Sequence, residues 1–296
     1  MSEETTYTWK IKAYDDHGNF TTSDVWEFTT TESPPQIEWC TVPAGPYTYG
    51  NPYQTLTIEY DYQIMKYKVT NQQYVDYLEE AYATGDVWID EGYVVGYYEG
   101  DDNYSAGNYY FYDLGTPSTY NYARISWDGD SFIINVPSGY SSGDFDNHPV
   151  VEVTWFGSWA FTEHYSLSLP TENEWEKAAR GNTGYDYPWG NSIDGSRANY
   201  WYSGDPFDQG TTPVGYYNGV NHSGFLTTDS PSPYGVYDMA GNVGDWTDSW
   251  WFDSSSSRVL RGNCWGNSTY NLRSWVRFGI YPTDGSDYVG FRCVSP

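Results

Sequence analysis

Residues 171–177 read TENEWEK and set three carboxylates, Glu172, Glu174 and Glu176, at alternate positions. Closely spaced carboxylates could divide general acid and general base work between them. The surrounding residues give them a different task. Thr171 stands three positions before Glu174, as a capping box requires, and Gly181 follows Arg180 where a helix would stop. The acids then lie at the positive end of a helix dipole and Lys177 and Arg180 at its negative end, so this run is read as a helix start and no catalysis is drawn from it. The three cysteines, Cys40, Cys264 and Cys293, allow one disulfide at most and exclude a four-cysteine zinc site. His17, His148, His164 and His222 are scattered without metal-ligand spacing.

The other chemically suggestive segment, residues 258–294, does not look catalytic. A frame of Arg, Gly, Trp, Pro and the closing GFRC alternates with positions whose chemistry follows no folding logic. Those positions are Gly266, Asn267, Ser268, Tyr270, Val276, Phe278, Gly279, Ile280, Tyr281, Asp284, Ser286, Asp287 and Tyr288. Apolar and aromatic residues beside small polar ones suit a ligand-binding surface, because rigid rings supply contact area and Ser, Asn and Asp tune hydrogen bonding. Exposed loops of similar composition also occur without such a role.

Around these residues the chain sets clear bounds. At 296 residues it can bury a sizeable core. Acids outnumber bases 40 to 13, a formal charge of −27 that excludes nucleic acid and anionic lipid as partners. Aromatics number 33 Tyr, 15 Trp and 12 Phe, enough to fill a loop-rich core and furnish a contact surface as well. No apolar run reaches the length of a membrane span, so no membrane insertion is expected, and MSEETTYTWK lacks the pattern of a secretion signal.

Residues 1–35 read as a β-hairpin: YTWKIKAYDD alternates over Trp9, Ile11 and Ala13, HGN turns, and SDVWEFTT alternates over Val25 and Phe28. Glu32, Ser33, Pro34 and Pro35 form a linker. A single domain then spans residues 36–296. Thr70 or Asn71 caps a first helix carrying Tyr74, Val75, Tyr77 and Leu78, a second helix covers Thr154–Tyr165, and the capping box opens the third. Residues 85–147 read as Gly-, Asp-, Asn- and Tyr-rich loop with weak strands around 124–126 and 132–136.

The hairpin resembles the last two strands of a fibronectin type III domain. The succession KYKVTNQQY, HPVVEVTWFGSWAF, LPTENEWEKAARG, YPWGN, TTPVGYY, SPSPYGVYDMAGNVGDW, RVLRGNCW, LRSWVR and GFRCV resembles the formylglycine-generating-enzyme, or sulfatase-modifying-factor, domain over about residues 37–295. This implies an α+β, C-type lectin-like fold with much irregular loop. The founding enzymes of that family hold copper between two cysteines shortly after an RGGSW-like segment. Here Cys264 falls on the usual Ser, and no partner follows until Cys293, so no copper and no oxidase activity are expected. The resemblance also implies a structural Ca²⁺ at the loop of Asn242 and Asp245, where GNVGDW replaces GNVWEW; a plain Asn/Gly turn is the alternative. A second calcium site of the relatives maps near Asn199 and Tyr200.

The C-terminal segment is most similar to the variable proteins of diversity-generating retroelements, in which copying errors at adenines diversify Asn codons. Such errors never yield Trp, Lys, Glu, Gln or Met, and Lys and Glu are absent after Arg258. The resemblance therefore implies a non-catalytic display protein with a variable protein or cell-surface ligand, at a cell surface or on a phage particle in preference to the cytoplasm. A fixed-specificity member of the family and an enzyme of other chemistry are the alternatives.

Overall fold

The computed structural model describes residues 5–9, 12–14, 20–22, 26–30, 37–115, 123–207, 210–252 and 256–295. They fall into two compact units, Met1–Gln36 and Ile37–Pro296. In the first, β1 (Thr5–Trp9) pairs antiparallel with β4 (Trp26–Thr30), and inside that pair β2 (Lys12–Tyr14) joins β3 (Phe20–Thr22). The hairpin is thus doubled into two nested ladders. The HGN turn, Ile11, Val25 and the linker lie outside the described residues.

The second unit begins with β5 (Trp39–Val42), the hairpin of β6 (Gly45–Tyr49) and β7 (Gln54–Ile58), and β8 (Tyr62–Met65). Helix α1 (Asn71–Thr84) follows because Thr70 and Gln73 cap each other reciprocally, and Gly85 ends it in the left-handed conformation. Tyr74, Leu78 and Ala81 recur at helical spacing and bury one face. Next come β9 (Val87–Asp90), β10 (Tyr93–Tyr98) and β11 (Gly107–Asp113), a three-stranded meander, and the small hairpin of β12 (Ile125–Trp127) and β13 (Phe132–Ile134). The meander replaces the loop expected over residues 85–113. Its strands are masked in the sequence by glycines with packing roles: a Cβ at Gly96 would lie 2.1 Å from the Phe111 ring.

Helix α2 (Trp155–His164), capped by Thr154, crosses β11 so closely that a Cβ at Gly157 would meet the Phe111 carbonyl at 2.2 Å. Helix α3 (Glu172–Arg180) carries the expected Thr171/Glu174 box and stops at Gly181. The remaining strands are β14 (Asn221–His222), β15 (Phe225–Leu226), β16 (Gly244–Trp250), β17 (Arg258–Arg261), β18 (Arg277–Ile280), β19 (Val289–Gly290) and β20 (Val294–Ser295). Two sheets organise the C-terminal half. One has the order β18-β17-β16-β19, with β19 parallel to β16, and the other, β20-β8-β5, ties the chain end back to the start of the unit.

The main core lies between α1, α2 and the β10/β11 ladder. Tyr74, Phe161 and Phe291 meet there at ring distances of 5.2–6.1 Å. A second cluster under α3 centres on Trp175 with Val42, Tyr47 and Ile64. Each large side chain so buried contributes about 1.5–3 kcal/mol. That suffices to hold long loops on a small amount of regular structure.

Candidate ligand-binding face

The carboxylates of α3 are structural. Glu174 accepts the Thr171 hydroxyl at 2.7 Å, closing the cap. Glu172 and Glu176 point at the C-terminal sheet, where Arg261 on β17 lies directly opposite Arg277 on β18. Like charges facing across a ladder repel. Glu172 answers both, at 2.9 Å from Arg261 and 2.7 Å from Arg277, and Glu176 holds Arg261 at 2.6 Å and also Arg180. Helix α3 thereby clamps the edge strand β18. At the other end of β17, Arg258 lies between the Trp155 and Trp250 rings, 3.8 and 3.6 Å from their centroids, and is ion-paired to Asp101 and Asp248.

On this clamped frame the segment after Arg258 separates into anchors and displayed residues. Between β17 and β18 the loop is held by Trp265, whose N–H donates to the Asn242 carbonyl, by fully buried Leu272, and by buried Ser274, whose N–H donates to the Asp186 carbonyl at 2.7 Å. Arg273 and the Trp275 indole both bind the Asp186 carboxylate. Between β18 and β19, buried Pro282 accepts the Trp155 N–H through its carbonyl, and a Cβ at Gly285 would meet the Glu152 carbonyl at 2.7 Å.

Seven of the thirteen sequence-predicted positions are exposed: Ser268, Tyr270, Phe278, Gly279, Tyr281, Asp284 and Tyr288. Their aromatic members stand well out, with Tyr270 57%, Tyr281 54%, Tyr288 42% and Phe278 37% accessible. Gly266, Asn267, Ile280, Ser286 and Asp287 are half-buried. Ile280 leans on the main core, and the Asp287 carbonyl accepts the Trp265 indole N–H. Val276 departs from the set. It is buried, and it lines a cleft of about 460 Å³ shared with Tyr270, Trp275, Arg277 and the Gly50–Pro52 turn. Gly266 and Gly279 are also not free positions. A Cβ at Gly266 would come within 2.7 Å of the Tyr288 ring, and one at Gly279 within 2.9 Å of Trp251.

Some surface residues beside this segment escaped the sequence reading. The Trp201 N–H donates to the Asn267 carbonyl, and Trp201 stacks at 4.8 Å on Tyr202, both exposed. Trp88 and Tyr110, from β9 and β11, share a cavity of about 430 Å³ with Thr283. Only the richness of residues 85–113 in Tyr could have signalled the second pair.

The donor sets do not fit the implied metals. Cys264 is buried and its thiol is pushed up to about 12 by burial, the opposite of the thiolate that Cu(I) needs. Cys293 sits apart from it in the main core. The two side chains named for calcium are engaged within the protein. Asp245 is fully buried, with Oδ1 2.8 Å from Lys68 Nζ and Oδ2 receiving Arg292 Nε at 3.0 Å and Trp175 Nε1 at 2.8 Å. Burial opposes its charge, yet Arg292 and Lys68 outweigh that and hold the carboxyl below its usual range. Burial pulls Lys68 down to about 8 despite Asp245. Asn242 exchanges two hydrogen bonds with the Thr212 backbone. The shorter Asp of GNVGDW thus completes a buried ion cluster joining α3, β16 and the chain end. Asn199 is likewise committed, its amide donating to the Gly210 carbonyl. Among the described residues no three His, Cys, Asp or Glu side chains are placed to hold a metal.

A family model described as the sulfatase-modifying factor enzyme 1-like domain matches residues 24–296. The inactive C-alpha-formylglycine-generating enzyme 2 of Bos taurus is 37% identical over 168 residues, covering 54% of this chain and 54% of that protein. The chain therefore spans about half the length of that relative. Among solved structures, PvdO from Pseudomonas aeruginosa superposes with a TM-score of 0.58 at 22% identity, covering 89% of this chain and 99% of its own. Treponema denticola variable protein 1 superposes with a TM-score of 0.56 at 19% identity, covering 99% of both chains. The fold is C-type lectin-like, with α+β content as the sequence implies.

Proposed function

The chain belongs to the sulfatase-modifying factor enzyme 1-like family, and we infer that it is a member that binds ligands without catalysis, through a C-terminal face diversified by a retroelement. One observation carries the reading: within residues 262–290, exposed Ser268, Tyr270, Phe278, Tyr281, Asp284 and Tyr288 alternate with buried anchors Trp265, Leu272, Ser274, Pro282 and Val289. Ser268, Phe278, Tyr281 and Asp284 can then change most freely, while Tyr288 packs 5.1 Å from the Trp265 ring and Tyr270 lies beside Arg273 and Trp275. A buried, protonated Cys264 in place of a metal-binding thiolate pair also favours binding over oxidation. The same fold in a protein named for its variability is consistent with a scaffold that tolerates change. The ligand is a protein or another cell-surface molecule, nucleic acid being opposed by the charge of −27. The protein would act at a cell surface or on a phage particle.

The second reading, a fixed-specificity member of the family, is favoured by the tight fit of Gly279 under Trp251. A library randomised at the six exposed positions distinguishes the two. The display reading expects most clones to fold with unfolding temperatures no more than about 6–12 °C from the parent, since each exposed substitution costs at most about 0.5 kcal/mol, and expects selection on unrelated proteins to give distinct binders. Widespread loss of folding would contradict it.

A further inference from the structure

The end of α1, the strands β9, β10 and β11 and the last turns of α2 line a cavity of about 480 Å³, which shares Trp88 with the cavity beside Thr283. Its lining includes the aromatic residues Trp88, Tyr97 and Trp159 and the acidic residues Asp86, Glu99 and Glu163. Trp88 and Tyr97 are 38% and 56% exposed, a large outlay of ring surface for positions a soluble domain could fill with polar side chains. Trp159 is set edge-on against Tyr98 at 4.8 Å, which fixes its ring. No Lys or Arg is among the described lining residues, and the one imidazole, His164, already lies 2.7 Å from a further carboxylate, Glu80.

Each component narrows the occupant. Aromatic rings alone would suit any flat apolar ligand. Carboxylates at the rim exclude an anion and give a neutral ligand nothing to neutralise them. A hard divalent ion would need those carboxylates to converge, and among the described residues no three acidic side chains do. A cation with an apolar surface satisfies both sets, its charge facing the ring faces and the carboxylates and its carbon surface filling the walls. The volume falls within the roughly 300–1,000 Å³ typical of small-molecule sites. We propose that this cavity binds an organic ammonium group, carried either by a free quaternary ammonium compound or by a lysine side chain.

Isothermal titration calorimetry on the full chain at constant ionic strength tests this with three probes: choline, Nα-acetyl-lysine amide, and the neutral choline analogue 3,3-dimethylbutan-1-ol. At least one cation should bind saturably and the neutral analogue about two- to thirty-fold more weakly, the range that cation–π contacts span from exposed to desolvated sites. Tyr97→Ala and Glu163→Gln, both at exposed side chains, should each weaken the cation about two- to fivefold. Tighter choline assigns the site to a free quaternary ammonium compound, and a tighter lysine amide assigns it to a side chain. Absence of saturable binding by either cation, equal binding of the neutral analogue, or unchanged affinity in both variants would overturn the proposal.

Discussion

Removing the Asp245 carboxylate should destabilise the domain more than any change on the displayed face. The side chain is fully buried and receives Lys68 at 2.8 Å, Arg292 at 3.0 Å and the Trp175 indole at 2.8 Å. Asp245→Ala deprives Lys68 and Arg292 of their direct ion-pair partner, leaving only the longer-range field of Asp238, and losing one partner of a buried pair costs about 3–5 kcal/mol. Against a typical total of about 5–15 kcal/mol this is a large share. In a domain of this size each kcal/mol moves the unfolding midpoint by about 2–4 °C, so the expected fall is about 6–20 °C. Asp245→Asn, which keeps an oxygen for Trp175, should fall between the variant and the parent. Differential scanning calorimetry with and without EDTA provides the readout. Because cations of the protein itself occupy the carboxylate, EDTA should shift parent and Asp245→Ala equally. A fall below about 2 °C for Asp245→Ala, or an EDTA effect present in the parent and missing from the variant, would refute the ion-cluster assignment.

Glu152 lies against Asp287 and Asp113, and burial, reinforced by those carboxylates, raises its carboxyl to about 7. With the folded value above the unfolded one, its contribution is present below about pH 4.5 and lost as pH rises through 7. The parent should thus lose on the order of 1–2 kcal/mol relative to Glu152→Gln between pH 5 and pH 8, after allowance for partial solvation, and equal slopes in urea titrations would contradict this. Taking the difference between the two proteins cancels His148, which burial pulls down to about 3 and which weakens the fold as pH falls below about 6.5. Thiol titration of the native protein should find the half-exposed Cys40 first, with Cys264 and Cys293 reacting only on unfolding; fast labelling of Cys264 at neutral pH would count against its buried, protonated state. Replacing Ser268, Tyr270, Phe278 and Tyr281 together by Ala should move the unfolding temperature by no more than about 4–8 °C, from at most about 0.5 kcal/mol at each site.

Local rules made α1 and α3 legible, since Thr70 with Gln73 and Thr171 with Glu174 announce their starts and Gly85 and Gly181 their ends. The C-terminal alternation was legible in part, because the anchors Trp265, Pro282 and Gly285 are residues with few substitutes, whereas Leu272, Ser274 and Val289 carry no such mark. The β9–β11 meander was not, because Gly96 and the Tyr-rich strands follow the needs of Phe111 packing more than period-two alternation. Nor could spacing alone disclose that Asp245 would meet Lys68, 177 positions earlier in the chain, or that Gly266 and Gly279 make room for Tyr288 and Trp251. Those contacts exist only once distant loops are brought together.

Codon-resolved sequencing of the gene's 3′ end across the population that carries it tests the central claim most directly. A diversified display face predicts substitutions drawn from Asn-type codons at Ser268, Tyr270, Phe278, Tyr281, Asp284 and Tyr288, with Trp265, Leu272, Pro282, Gly285 and Val289 unchanged. Uniformly low variation across residues 258–294, or variation that falls equally on those anchors, would contradict it.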